Sequence, residues 1–83
     1  MVTDEFWRYV SDVTYNNAEA VKESLLCGCY FCCQTFSSES IATVDNSKTA
    51  LCPHCSIDCV IPITSGILLS EDVLHEIRAY ALS

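Results

Sequence analysis

Two cysteine pairs constrain this chain more than any other feature in it. Cys29-Tyr30-Phe31-Cys32 and Cys52-Pro53-His54-Cys55 are both C-x-x-C turns, separated by residues 33 to 51. Each such turn aims two sulfurs at one point, and a single reversal of the intervening segment brings the two points together. Four thiolates can then surround one ion in a tetrahedral site, and zinc is the metal that suits it best. The expected ligands are Cys29, Cys32, Cys52 and Cys55.

Length explains why such a staple would be needed. Eighty-three residues make one domain, here taken as 1–83, with a small core. Domains of this size often need a metal or disulfides to hold together. A structural zinc site supplies roughly 10–16 kcal/mol of apparent binding free energy, against about 5–15 kcal/mol for the stability of a typical domain. The metal is therefore expected to decide whether the chain folds. Iron in a rubredoxin-like site uses the same four-sulfur geometry. Zinc is preferred on abundance, because no redox apparatus accompanies the motif.

Seven cysteines in so short a chain also invite a secreted, disulfide-bonded reading. The odd count, the paired spacing and the lack of a recognisable leader oppose it. No apolar run approaches membrane-spanning length. A cytoplasmic protein with reduced thiols is expected.

Charge narrows the function. Eleven acidic and four basic residues give a formal net charge of −7, and four thiolates around a divalent ion would add to it. Many zinc ribbons bind nucleic acid through Lys and Arg, and this chain has too few to neutralise phosphates. Direct nucleic-acid binding is disfavoured. A protein partner with a basic surface fits better, because complementary charge speeds and orients association.

Along the chain, residues 3 to 14 read as a helix. Thr3 caps it, Asp4 and Glu5 suit its positive end, and Phe6, Trp7, Val10 and Val13 share a core-facing side. Asn17 is placed to cap a second helix, Ala18 to Leu26, with Ala18, Val21 and Leu25 inward. Gly28 follows as the residue able to take the positive φ of a helix end. Gln34 to Phe36 reads as a short strand, and Ser37 to Ile41 as a capped single turn. Thr43-Val44 and Thr49 to Leu51 flank the polar turn Asp45-Asn46-Ser47-Lys48, a modest hairpin signal. The β-branched run Ile57 to Ile63 suggests a strand, with Pro62 at an edge or an end. Ser65-Gly66 breaks the pattern. Ser70 to Leu82 is the clearest helix: Ser70 caps it, and Val73, Leu74, Ile77, Tyr80 and Ala81 form one apolar stripe.

Cys27, Cys33 and Cys59 remain outside the expected ligand set and read as small buried hydrophobes. His54, inside the second turn, and His75, on the polar side of the last helix, read as exposed. Neither makes a convincing catalytic base. A catalytic zinc keeps an open position and draws on histidine or carboxylate, whereas four cysteines close the site. Redox chemistry needs a thiolate of lowered pKa, usually at a helix N-terminus, and Cys32 follows a helix. There is no Gly-rich phosphate loop and no Ser-His-Asp arrangement. Catalysis is not expected.

At Cys27-Gly28-Cys29-Tyr30-Phe31-Cys32 and Ala50-Leu51-Cys52-Pro53-His54-Cys55-Ser56-Ile57-Asp58, the chain resembles a family of small uncharacterised bacterial cytoplasmic proteins. These carry a CGCxxC segment and a later CPxCGIDSVIG segment. The resemblance covers roughly the middle and C-terminal two-thirds. It implies a zinc-ribbon-like fold in the bacterial cytoplasm and brings no assigned reaction. Ser56 stands where the family tends to have Gly, Cys59 replaces a small residue, and Pro62 lies near a family Gly. A relative drifting this way while gaining negative charge would suit a phage or mobile element.

The sequence thus predicts an α+β domain in three parts. A helical part spans 1–26, a zinc-ribbon-like β unit spans 27–64, and a C-terminal amphipathic helix lies in 65–83. Its expected role is a non-enzymatic, zinc-stabilised interaction module. It would be an inhibitor or adaptor docking on a basic surface of a larger machine, nucleic-acid-handling machines included. The alternatives are a nucleic-acid-binding or transcription-associated zinc ribbon, and a thiol redox or rubredoxin-like electron-transfer protein.

Overall fold

The computed structural model describes residues 2–82; Met1 and Ser83, the ends of the expected 1–83 domain, lie outside the described residues. Helices and a three-stranded antiparallel sheet make it an α+β chain. Its elements are α1 (Asp4–Thr14), α2 (Ala18–Glu23), β1 (Leu26–Cys29), β2 (Thr35–Ser37), β3 (Val60–Pro62) and α3 (Glu71–Leu82), with 3-10 turns at Ser38–Ser40 and Ile63–Ser65.

The sheet order is β2-β1-β3, so β1 is the central strand. Cys27 lies opposite both Phe36 and Pro62, Gly28 opposite Thr35 and Ile61, and Cys29 opposite Val60. Because side chains alternate across a strand, this register sorts residues to two faces. Cys27, Cys29, Phe36 and Val60 fall in one buried cluster with Val21, Ala50, Cys52 and Cys59. Ile61 falls in the other, with Val10, Ile67, Leu74 and Ile77. The sheet is therefore a partition: cysteine-rich loops cover one side, and α1 and α3 cover the other.

The outer helices form as their sequences predict. Thr3 Oγ1 accepts the Phe6 N–H at 3.1 Å, and Ser70 Oγ accepts the Val73 N–H at 3.2 Å, each satisfying a donor that a helix start leaves open. Trp7 meets the Tyr30 ring edge-on at 5.7 Å and the Tyr80 ring at 5.8 Å, tying α1 to the first cysteine turn and to α3. The Tyr9 hydroxyl donates to the Ser65 carbonyl.

Several local expectations need correction. The second helix ends at Glu23 rather than Leu26. The sheet claims Leu26 as the first residue of its central strand, and Ser24 is already extended at ψ 138. Leu25, expected inward, is 89% exposed.

Gly28 sits inside β1 and is not among the positive-φ residues. Its reason for being glycine is close approach. A Cβ there would lie 3.3 Å from Leu69 Cδ2 and 3.4 Å from both Leu74 Cδ atoms. The positive φ of 84 is at Gly66, where the Ile63–Ser65 turn closes with a Gly66 N–H to Ile63 carbonyl bond of 3.1 Å.

Asn17 occupies the N-cap position of α2 without capping it through its side chain. Its amide nitrogen donates to the Val13 carbonyl at 3.0 Å and the Val60 carbonyl at 2.8 Å. Its amide oxygen accepts the Ala50 N–H at 2.9 Å. One buried side chain thus joins the end of α1, strand β3 and the segment leading to the second cysteine pair.

The remaining elements follow the sequence closely. Val44 and Ala50 form a single antiparallel bridge. Asp45 Oδ1 accepts the N–H groups of Ser47 at 2.8 Å and Thr49 at 3.0 Å, which closes the expected turn. The third strand is shorter than Ile57 to Ile63. Ile57 is drawn into the second cysteine turn, where its carbonyl accepts the Cys52 N–H at 3.0 Å, and β3 forms an edge of the sheet that Pro62 ends.

Candidate metal centre

The two cysteine pairs converge. The sulfurs of Cys29, Cys32, Cys52 and Cys55 all lie within 4.8 Å of one another, with Cys29 and Cys52 buried and the other two half-buried. Across the pairs, Cys29 Sγ is 3.6 Å from Cys55 Sγ, and Cys32 Sγ is 3.6 Å from Cys52 Sγ. A tetrahedron with metal–sulfur bonds of about 2.3 Å has edges of about 3.8 Å. The donor set fits a metal ion, and all seven cysteines are free thiols.

The two halves of the site are built alike. In the first, the Cys29 N–H donates to the carbonyl of Gln34 at 2.9 Å; in the second, the Cys52 N–H donates to the carbonyl of Ile57 at 3.0 Å. Each is a bond from the first cysteine to the residue five positions on. The residue just after each second cysteine has positive φ: Cys33 at 60° and Ser56 at 63°. That left-handed step turns the chain sharply back beneath the sulfurs.

The turns also aim backbone donors at sulfur. The His54 N–H reaches Cys52 Sγ at 3.4 Å, and the Cys55 N–H reaches the same sulfur. Cys29 accepts from Cys32 and Phe31, and Cys55 from Ile57. N–H groups directed at a thiolate favour its charged form.

Burial works the other way. It holds the Cys29 thiol far above the ordinary thiol value, in spite of the N–H groups of Cys32 and Phe31. Burial also raises Cys55. At Cys52 burial again pushes upward, but the N–H groups of His54 and Cys55 and the thiols of Cys55 and Cys32 outweigh it, and Cys52 lies below the ordinary value. Four sulfurs crowded in this way cannot all ionise unaided. A bound cation reverses that balance, since a coordinating thiol loses its proton outright.

The residues around the site fill definite places. Cys27 is fully buried in the core cluster beside the site, its thiol pushed up to about 11 by burial. Cys59 is buried just before β3 and shares a side-chain hydrogen bond with Tyr30, so it is more than a small hydrophobe. His54 is exposed, as expected, and its ring meets Phe36 at 5.7 Å. The Arg78 guanidinium lies 5.4 Å from the centre of the Phe31 ring, capping the first turn from α3.

His75 and Cys33 depart from expectation. Cys33 is half-exposed rather than buried, and its sulfur lies 3.5 Å from His75 Nδ1. His75 is exposed but not simply solvated: its Nε2 lies 3.6 Å from Glu71 Oε1. No spacing rule in the sequence joins residues 33 and 75. The i, i+4 relation of Glu71 and His75 was the one legible part of that contact.

Comparison with family models, with curated proteins and with solved structures returned no match to this chain. Among the described residues, no helix is long and apolar enough to cross a membrane.

Proposed function

We propose that this chain is a small acidic interaction module whose zinc-ribbon-like β unit is held by one structural zinc. It performs no catalysis and acts as an inhibitor or adaptor. Its partner is a protein with a basic surface, part of a larger machine that handles nucleic acid, in a bacterial cytoplasm and on a phage or mobile-element background. The observation that carries this reading is the convergence of four sulfurs at metal-site spacing. With four protein donors, the ion has no position left for substrate or water, which suits a scaffold. Zinc is favoured over iron for its abundance and its indifference to redox state.

The surface supports the choice of partner. Every carboxylate residue except Asp45 is exposed, and Asp45 is occupied in its turn. Of the four cationic residues, Arg78 is turned partly inward over Phe31. If the partner's basic surface normally holds DNA or RNA, these carboxylates compete with phosphates for it.

The test begins with the purified, metal-loaded chain immobilised as bait for bacterial lysate. One zinc per chain is expected, together with capture of a basic-surfaced protein that is released as salt rises. Charge-reversed variants at Asp12 and Asp72, both exposed, should weaken capture while retaining zinc. Salt-sensitive retention of DNA or RNA by the chain itself would replace this reading with a nucleic-acid-binding ribbon. A coloured iron site would replace it with electron transfer.

A further inference from the structure

The two exposed tyrosines of this chain share one groove. Tyr9 is 43% exposed and Tyr15 65% exposed. Both line an open cleft of about 320 Å³ between the C-terminal half of α1 and the turn that follows β3, where Pro62, Thr64 and Ser65 form the opposite wall. Ligand clefts run from roughly 300 to 1,000 Å³, so this one admits a side chain better than a cofactor. Its rings sit on ordered backbone. The Tyr9 hydroxyl donates to the Ser65 carbonyl. Tyr15 closes α1, its N–H on the Asp12 carbonyl at 3.4 Å. The next residue, Asn16, turns left-handed at φ 49 and donates its N–H to Thr49 Oγ1 at 2.8 Å. That turn sends Asn17 into the core and leaves the Tyr15 ring in solvent. The charge of the groove is one-sided. Asp12, exposed, supplies its carboxylate, and among the described residues no Lys, Arg or His lines it. Arg8, one turn earlier on α1, is not part of the lining. Aromatic faces are negative and attract a cation within about 6 Å of the ring centre. A carboxylate beside them adds charge-assisted hydrogen bonds.

We propose that this groove receives an arginine side chain of the basic protein partner, its guanidinium stacked on the Tyr15 ring and donating to the Asp12 carboxylate. Tyr9 forms the other wall. The inference rests on the proposed function and adds to it the residue type that is read and the place where it is read. Arginine suits the groove better than lysine, because its guanidinium is planar, weakly hydrated and able to stack on a ring while donating in its own plane. The chain uses the same pairing internally, where the Arg78 guanidinium lies 5.4 Å from the centre of the Phe31 ring. The formal charge of −7 draws a cationic surface towards the molecule as a whole, and the groove then selects one side chain from it.

The experiment titrates the isotope-labelled, zinc-loaded full chain with the tripeptide acetyl-glycyl-arginyl-glycinamide at low salt and follows the amide NMR signals. Its lysyl and citrullyl counterparts serve as comparisons. Saturable shifts are expected at Asp12, Tyr15, Asn16 and Ser65, smaller with the lysyl peptide and absent with the citrullyl one, which keeps the shape without the charge. Tyr15→Leu and Asp12→Asn should each weaken binding roughly two- to fivefold. Tyr15→Phe should bind as the wild type does, since the ring face remains. Shifts spread evenly over the exposed carboxylate residues, or centred on Glu71 and Asp72, would overturn the proposal. So would an equal response to the citrullyl peptide, or unchanged affinity in Tyr15→Leu. If a variant fails to hold zinc, the wild-type shift map and the citrullyl comparison decide. Capture from lysate separates this site from the reading it rests on. Capture that survives Tyr15→Leu in full but is lost on charge reversal at Asp72 would reject the groove and keep the basic-surfaced partner. No capture of a basic protein, with the arginyl peptide still seated beside Tyr15, would reject the adaptor role and keep the arginine site.

Discussion

The two sides of the sheet are held by different physics. On the helix side, Val10, Ile61, Ile67, Leu74 and Ile77 form a cluster of large aliphatics between capped helices. On the cysteine side, the buried cluster is mostly small: Cys27, Cys29, Ala50, Cys52 and Cys59, with Phe36 its one large ring. The segments covering that side are the six-residue helix α2, turns, short strands and a single β-bridge. Burial stabilises by roughly 25 cal/mol per Å² of apolar surface, so small side chains on irregular backbone gain little from it. What the cysteine side lacks in apolar surface an ion can supply. With an ion held by the four cysteines, a short chain like this would divide its stability between a conventional core and a metal, joined through the strands both sides share.

Metal removal tests this division most severely. The apparent free energy of structural zinc, roughly 10–16 kcal/mol, matches or exceeds the stability of a whole small domain, about 5–15 kcal/mol. Strands β1 and β3 contribute residues to both sides, so the helix side should not survive alone. Chelation is expected to abolish cooperative thermal unfolding and to collapse the dispersion of amide NMR signals throughout the chain. Lowering pH should act in the same way, because ligands must be deprotonated and protons compete with the ion; zinc release and unfolding should share one midpoint. A metal-free chain that still melted cooperatively would show that the helix side is an independent core.

The next largest effect belongs to the helix side. Leu74 is fully buried, and Leu74→Ala should cost about 2–5 kcal/mol through lost transfer energy and the cavity left behind. Denaturant unfolding of the zinc-loaded protein measures it. Zinc stoichiometry at low temperature should remain that of the wild type, since Leu74 belongs to the cluster on the far side of the sheet. Loss of zinc from a folded Leu74→Ala protein would mean that the two sides are more tightly coupled than the partition implies.

Asn17 sharpens the comparison because it touches both sides. Its amide holds the Val13 and Val60 carbonyls and the Ala50 N–H. Asn17→Leu keeps the branching at Cγ but strands buried backbone groups, which should cost about 1–3 kcal/mol. Hydrogen exchange should show the Ala50 amide opening before those of α3. Equal loss of protection everywhere would identify Asn17 as part of the global core rather than a local joint.

Much of this architecture was legible because its signals are local. The Thr3 and Ser70 caps, the Asp45 turn and the apolar stripe of α3 depend on neighbours within a few residues, and the spacing of the cysteine pairs directed them to one point. Expectations failed where a tertiary demand overrode a local preference. Ala18 to Leu26 has helical character, but Leu26 onward is taken by strands on both sides. Gly28 was read as a helix end, while its actual constraint is the approach of Leu69 and Leu74 from α3 and the segment before it. Asn17 sits where a cap would be, yet its partners are up to 43 residues away. The Cys33–His75 contact was illegible for the same reason, since only the fold brings the two segments together.

The smallest expected effect compares the two halves of the metal site with each other. Cys33 and Ser56 occupy equivalent positions, one residue past the second cysteine of each pair, at φ 60 and 63. A residue with a Cβ pays about 1–2 kcal/mol to adopt this conformation, and glycine escapes most of that cost. Glycine also loses more conformational freedom on folding, so part of the gain is returned. Ser56 is exposed, which leaves backbone conformation as the main difference. Ser56→Gly should therefore stabilise the zinc-loaded protein by about 0.5–1 kcal/mol, read as a higher denaturant midpoint at constant slope. Ser56→Val should do the reverse by a larger margin, because a β-branched side chain is least tolerant of positive φ. If Ser56→Gly proves neutral or destabilising, the left-handed step is not a cost borne by this turn. The likeness of the two halves would then extend to hydrogen bonding but not to energy.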